Sequence, residues 1–149
     1  MGWGWGIGKE TDEASLIGAV TLSLKFDRRV IVEQGIDAKE IEVAVLGNDE
    51  PTCSVSGEIK LVAEFYDYEA KYKDDNTELV IPAKVSKEVQ ASMEEMSILA
   101  YKVLDCAGLV RSDFFVTADD QVLINEVNTM PGLPPTSMFT LLWQTQGFK

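Results

Sequence analysis

The chain has no histidine and only two cysteines, Cys53 and Cys106, among its 149 residues. Without imidazole, Ser-His-Asp and Cys-His catalysis, His-ligated zinc and a histidine pH switch are excluded. Two cysteines far apart in sequence, outside any CxxC pattern, point to reduced thiols in an intracellular protein rather than to a disulfide. Basic residues are scarce: 13 Lys and Arg stand against 25 Asp and Glu, a net charge of −12. A phosphate backbone needs clustered cations, so the chain is a poor candidate for duplex nucleic acid, no nucleic-acid partner is expected, and the charge reads first as solubility. No apolar run approaches the roughly 18 residues of a membrane-spanning helix. The opening residues lack the basic-then-apolar order of a secretory signal. The expectation is a cytoplasmic protein with no membrane partner, whose chemistry rests on carboxylates, Arg, Lys, amides, hydroxyls or a metal.

What is present is ordinary globular material, 46% hydrophobic and 26% charged, of a length that suits a single domain spanning 1–149. A Gly-rich opening precedes a helical pattern from Thr11, with Leu16, Ile17, Val20 and Leu24 at helix spacing and Thr11 or Asp12 as cap. Val30-Ile31-Val32 reads as a short strand, residues 40–46 as a strand half exposed at its start, and 52–62 as strand broken near Gly57. Residues 65–78 read as a long loop, followed by a strand over 79–81. Ser86 caps a second helix with an apolar stripe of Val89, Met93, Met96, Leu99, Ala100, Val103 and Leu104, and Gly108 sits where its C-terminal cap belongs. Strands over 109–117 and 122–127 flank a turn, and a last helix runs from Ser137 to about residue 146. This succession predicts an α+β fold with a mainly antiparallel sheet.

One hairpin carries chemistry. A two-residue turn at Asp119-Asp120 pairs Asp113 with Glu126 and Arg111 with Asn128, and the period of two puts all four side chains on one face. Opposed carboxylates repel unless a cation or proton lies between them. Two carboxylates and an amide oxygen are hard donors suited to Mg²⁺ or Mn²⁺, and an adjacent Arg suits a phosphoryl group. A solvated hairpin face with an Arg–Glu cross-strand pair is the competing reading. The irregular loop 129–136 then leads into a helix whose N-terminus at Ser137 is either a plain cap or an anion site. The opening GWGWGIGK is not a P-loop, because Trp3 and Glu10 stand where that motif needs Gly and Ser or Thr.

The runs DYEAKY (67–72), RSDFF (111–115) and NEVNTMPG (125–132), with VEQGIDAKEIEVAVLGNDEP (32–51), resemble the D-alanine–D-alanine ligases of the ATP-grasp superfamily. The likeness runs from about Gly6 to Phe148 and corresponds to the C-terminal half of a full-length ligase, so the fold it implies is the ATP-grasp C-terminal lobe. It also implies the reaction: ATP phosphorylates the carboxylate of one D-alanine, and the amine of a second attacks the acylphosphate to give a peptidoglycan precursor. By position the resemblance makes Asp113, Glu126 and Asn128 ligands of two Mg²⁺ or Mn²⁺ ions. Arg111, with the backbone at Gly132, would stabilise the tetrahedral intermediate, and Ser137 with the backbone of Met138 would hold the second D-alanine carboxylate. Glu33, Gln34 and Ile36 match the adenine-binding linker and Glu40 the ribose-binding carboxylate. Lys71 and Tyr72 lie on the loop that closes over the phosphates, Lys71 toward ATP. The family has two serines in the small glycine loop where this chain has Trp3-Gly4, and Pro134 also departs from its pattern. The first D-alanine site and two ATP-contacting lysines of the family have no counterpart here, so the expectation is that the chain alone does not ligate D-alanine. Another ATP-grasp carboxylate–amine ligase, a non-catalytic or engineered domain, and a homodimer through exposed apolar surface stay open.

Overall fold

The computed structural model describes residues 8–61 and 77–148. The chain divides into two compact units, Met1–Ile36 and Asp37–Lys149.

In the first unit, α1 (Glu13–Ser23) starts at Asp12, whose carboxylate accepts the Ser15 N–H at 2.9 Å. That hydrogen bond holds the Asp12 carboxyl below its ordinary range. The helix buries none of its residues. Val30–Val32, expected as a strand, is irregular, with Ile31 83% exposed. β-branched residues favour strands only where a neighbouring strand gives them something to pack on, and no ladder among the described residues reaches this segment.

The second unit is a five-stranded antiparallel sheet of order β3-β2-β1-β4-β5, formed by β1 (Ala38–Gly47), β2 (Thr52–Leu61), β3 (Thr77–Val80), β4 (Gly108–Thr117) and β5 (Val122–Asn128). Two helices flank it, α2 (Lys87–Val103) and α3 (Met138–Thr145). The α+β, mainly antiparallel expectation holds. The central strand β1 serves both faces. Ile41 and Val43 join Val89, Met93, Phe114 and Val116 under α2, and Val45 joins Tyr101 and Val110. Ala44 packs on the opposite face with Met138, Phe139, Leu142 and Trp143 of α3. The period of two thus sends alternate β1 residues to different helices, and Glu42 shares the α3 face with Ala44.

Several local features depart from expectation. The β1–β2 ladder is irregular between Val43 and Val45, not near Gly57. There the Ser54 hydroxyl accepts the Ala44 N–H at 3.0 Å, satisfying a donor that the irregular pairing strands. Gly57 instead marks a close approach, since a Cβ there would lie 2.6 Å from Met138 Sδ. Thr77 and Glu78, expected in a loop, belong to β3, and residues 65–76 of that loop lie outside the described residues.

On α2 the Ser86 cap is as expected, accepting the Val89 N–H at 3.2 Å. The buried face is Val89, Met93, Ser97 and Tyr101, a strict i, i+4 row. Leu99, Val103 and Leu104 of the expected stripe are 61%, 74% and 55% exposed. The helix is capped at Leu104 and the left-handed residue just past it is Asp105, at φ 52°, not Gly108, which opens β4. Asp105 donates to Lys102 C=O and Cys106 to Tyr101 C=O, a double-bonded stop that uses the orphan carbonyls of the last turn.

Candidate functional site

The hairpin β4–β5 places Arg111 opposite Asn128 and Asp113 opposite Glu126. The pairing is as expected, but the turn is not. Asp120 takes φ 61°, and Thr117 and Gln121 close the loop by two hydrogen bonds, so the turn has three residues rather than two. That moves the outer register by one residue, giving Val116 opposite Val122. A bulge between Asp113 and Phe114 then restores the pairing at the site. The two offsets cancel.

Arg111 is the hub. Its Nε and Nη2 donate to the two oxygens of Asp113, both at 2.7 Å, a bidentate fork. Glu126 Oε1 stands 3.7 Å from Nη2. The same guanidinium meets a third carboxylate that sequence reasoning missed: Glu42 Oε2 lies 3.3 Å from Arg111 Nε. Glu42 is the β1 partner of Asp113, just as Ala44 is the partner of Arg111. Its side chain is only 8% exposed, and Oε2 has no hydrogen-bond partner. The alternation Glu40-Ile41-Glu42 was legible as a strand edge. The β1–β4 pairing that brings Glu42 to the site joins segments distant in sequence and is invisible to hairpin reasoning.

Three carboxylates therefore meet at the Arg111 guanidinium. Burial, then the Asp113 charge, push the Glu42 carboxyl up from its ordinary 4.5 to about 7, against the opposing pull of Arg111. Burial also raises the Asp113 carboxyl, with Glu126 beside it adding to the rise while Arg111 opposes it. Arg111 is held charged well above its usual value, chiefly by its hydrogen bonds to Asp113.

The other expected residues are distributed as follows. Asn128 Oδ1 accepts the Met130 N–H at 3.0 Å, fixing the start of the loop that holds Gly132. Ser137 caps α3, its hydroxyl accepting the Thr140 N–H at 3.4 Å. The Met138 side chain is buried in the core beneath α3, so its backbone N–H, at the first helical position, is what it offers to a ligand. Glu40 sits half-buried on β1. Glu33, Gln34 and Ile36 lie exposed in the irregular end of the first unit. Lys71 and Tyr72, like Trp3, lie outside the described residues. Both cysteines are free thiols, and no helix among the described residues is long and apolar enough to cross a membrane.

The donor set fits a hard divalent cation. Asp113 and Glu126 are paired carboxylates with an amide oxygen two residues on, beside a buried Glu42 oxygen that lacks a hydrogen bond. Among the described residues no group of three or more His, Cys, Asp or Glu side chains forms a ready cage. A set of two carboxylates and one amide, completed by water and substrate phosphates, needs none.

Known proteins share this arrangement of strands and helices. The D-ala D-ala ligase C-terminus family matches residues 1–149. The D-alanine–D-alanine ligase of Listeria innocua is 54% identical over 150 residues, 99% of this chain and 40% of that protein. That of Geobacillus kaustophilus is 54% identical over 142 residues, 95% of this chain and 39% of that protein. Among solved structures, D-alanyl-alanine synthetase A from Vibrio cholerae superposes with a TM-score of 0.85 at 28% identity, covering 94% of this chain and 43% of that one. The VanG D-Ala:D-Ser ligase from Enterococcus faecalis gives 0.81 at 34% identity, covering 95% and 41%. The chain thus spans about two fifths of the length of the curated relatives it matches. With the family match running over the whole chain and relatives more than half identical across nearly all of it, the chain belongs to the D-alanine–D-alanine ligase C-terminal family.

Proposed function

We propose that the chain supplies the cation- and phosphate-handling side of an ATP-dependent D-alanine–D-alanine ligase, joining two D-alanines in the cytoplasm to make a peptidoglycan precursor. The observation that carries this reading is the row Asp113–Arg111–Glu126 on one sheet face, in a chain of this family. In the reaction, the γ-phosphoryl of ATP passes to the carboxylate of the first D-alanine, releasing ADP. The amine of the second D-alanine then attacks the acyl carbon and phosphate leaves.

Asp113, Glu126 and Asn128 would hold Mg²⁺ or Mn²⁺, two ions by analogy with the family, and a cation so placed neutralises charge on the transferring phosphoryl group. Arg111 is a fixed positive charge with several N–H donors. It is suited to oppose the negative charge that develops on phosphoryl oxygens and on the tetrahedral centre, together with the Gly132 backbone. The Ser137 hydroxyl and the free N–H at Met138 sit at the N-terminus of α3, where helix polarity favours the carboxylate of the second D-alanine. Glu33, Gln34 and Ile36 would border the adenine, Glu40 the ribose hydroxyls, and Lys71 and Tyr72 the phosphates. The D-Ala:D-Ser ligase shares the fold, so the second substrate is the part of the reading on which fold bears least.

The test is calorimetric titration of the chain with a non-hydrolysable ATP analogue and Mg²⁺, with Glu126→Ala as control. Saturable, cation-dependent binding that the variant loses is the expected result. Binding that is indifferent to both Mg²⁺ and Glu126 would overturn the assignment of the hairpin as the cation site.

A further inference from the structure

The bidentate Arg111–Asp113 pair creates a conflict for the site described above. Both Asp113 oxygens face the guanidinium at 2.7 Å. A divalent cation at Asp113 would compete for the same lone pairs, and an arginine that lost its fork would be left with a long, rotamer-rich side chain and no fixed direction. A second acceptor already stands in place. Glu42 comes from a different strand, is locked by its register opposite Asp113, and has its Oε2 3.3 Å from Arg111 Nε. That oxygen is buried and accepts no hydrogen bond, which is unusual for a buried polar atom and calls for a partner. A small rotation of the guanidinium turns this ion-pair contact into a hydrogen bond. Glu126, 3.7 Å from Nη2, is the other carboxylate in reach, but as a cation ligand it is drawn away together with Asp113.

We propose that Glu42 is a positioning residue: its buried carboxylate takes over Arg111 when a divalent cation engages Asp113, so that the arginine keeps its direction toward the reacting phosphate. This rests on the reading of Asp113 and Glu126 as cation ligands. It assigns Glu42 no contact with substrate and no proton transfer. It predicts that Glu42 matters little to Arg111 without the cation and strongly with it.

The experiment is ¹⁵N NMR of the Arg111 Nε–H in the full chain, the resonance identified by its loss in Arg111→Lys. Solvent exchange of that proton is measured at pH 8 with and without saturating Mg²⁺, for the wild type, Glu42→Ala and Glu42→Gln. In the wild type the proton is expected to stay protected in both conditions. In Glu42→Ala it is protected without Mg²⁺ by Asp113, and its exchange speeds up by roughly tenfold or more once Mg²⁺ is added, as a lost hydrogen bond to a charged group implies. Glu42→Gln keeps an acceptor oxygen and restores protection, and it is the Mg²⁺ dependence of the loss in Glu42→Ala that a purely structural role would not show. The amide spectrum of each variant reports whether it is folded. If Mg²⁺ shifts the β4 and β5 resonances and Arg111 in Glu42→Ala still exchanges like the wild type, the proposal is wrong while the cation site stands. If Mg²⁺ shifts nothing in any variant, the cation reading itself falls, and this proposal with it.

Discussion

Replacing Glu42 with glutamine tests the electrostatics of the site through the stability of the whole sheet. The side chain is buried beside Asp113 and Glu126, with Arg111 opposing them, and burial first of all pushes its carboxyl up from 4.5 to about 7. Below pH 4.5 the group is protonated in folded and unfolded chains alike and contributes nothing. Between 4.5 and about 7 the unfolded chain ionises first, so stability falls as pH rises. Above about 7 both states are ionised and the cost is constant. A difference of about 2.5 pKa units at 1.36 kcal/mol each corresponds to about 3 kcal/mol. Glutamine mimics the protonated form at nearly the same volume, so Glu42→Gln should be near neutral at pH 4.5 and stabilising by about 3 kcal/mol at pH 8. Urea unfolding followed by circular dichroism, in chelator-containing buffer at a series of pH values, reads the difference between the two proteins directly. Titrating groups remote from the site are common to both chains and cancel, while the response of Asp113 and Glu126 to the lost charge is part of the difference read. A difference that does not change with pH would refute the argument, because it would show that the Glu42 carboxyl titrates alike in the folded and unfolded states.

Three further outcomes follow from the fold. Asp105→Gly should stabilise the chain by about 0.5–1 kcal/mol in the same urea assay, because φ 52° at the end of α2 strains any residue with a Cβ. Gly57→Ala should cost about 1–3 kcal/mol, since its Cβ would meet Met138 Sδ at 2.6 Å and Leu142 Cδ2 at 3.0 Å; an unchanged midpoint would mean that α3 packs more loosely than described. Burial and the nearby Glu94 push the Cys53 thiol up to about 12. In a Cys106→Ser background it should therefore react with a disulfide reagent at pH 8 at least about a hundredfold slower than in the denatured chain.

Legibility in the sequence followed locality. The β4–β5 pairing was readable because one short turn fixes it, and it survived a wrong turn length only because the bulge beside Asp113 compensates. The Ser86 and Ser137 caps were readable because a cap is a matter of a few adjacent residues. Glu42 was not readable as a site residue. Charged and alternating, it looks solvated until a strand about 70 residues later lies down beside it. The face of α2 was misjudged for a related reason. Leu99 and Val103 carry the hydrophobicity, yet Ser97 and Tyr101 face the sheet, because the orientation of a helix is set by what it packs on rather than by its most apolar side. Val30–Val32 had the propensity for a strand and no neighbour to make it one.

The location of Glu42, Arg111 and Asp113 on the two longest-paired strands has a consequence for how the molecule opens. β1 and β4 are matched residue for residue from Ala38–Thr117 to Gly47–Gly108 in the middle of the sheet, with helices over both faces. Backbone amides in such a position exchange with solvent only through the largest openings, while edge strands and termini exchange through small ones. Glu42, Arg111 and Asp113 therefore ride on the part of the fold that comes apart last, while Glu126 sits on the edge strand β5. Partial unfolding that releases β3 or frays the end of α3 would leave the arginine and its carboxylates in register. In deuterium exchange, the site should behave as core rather than as surface.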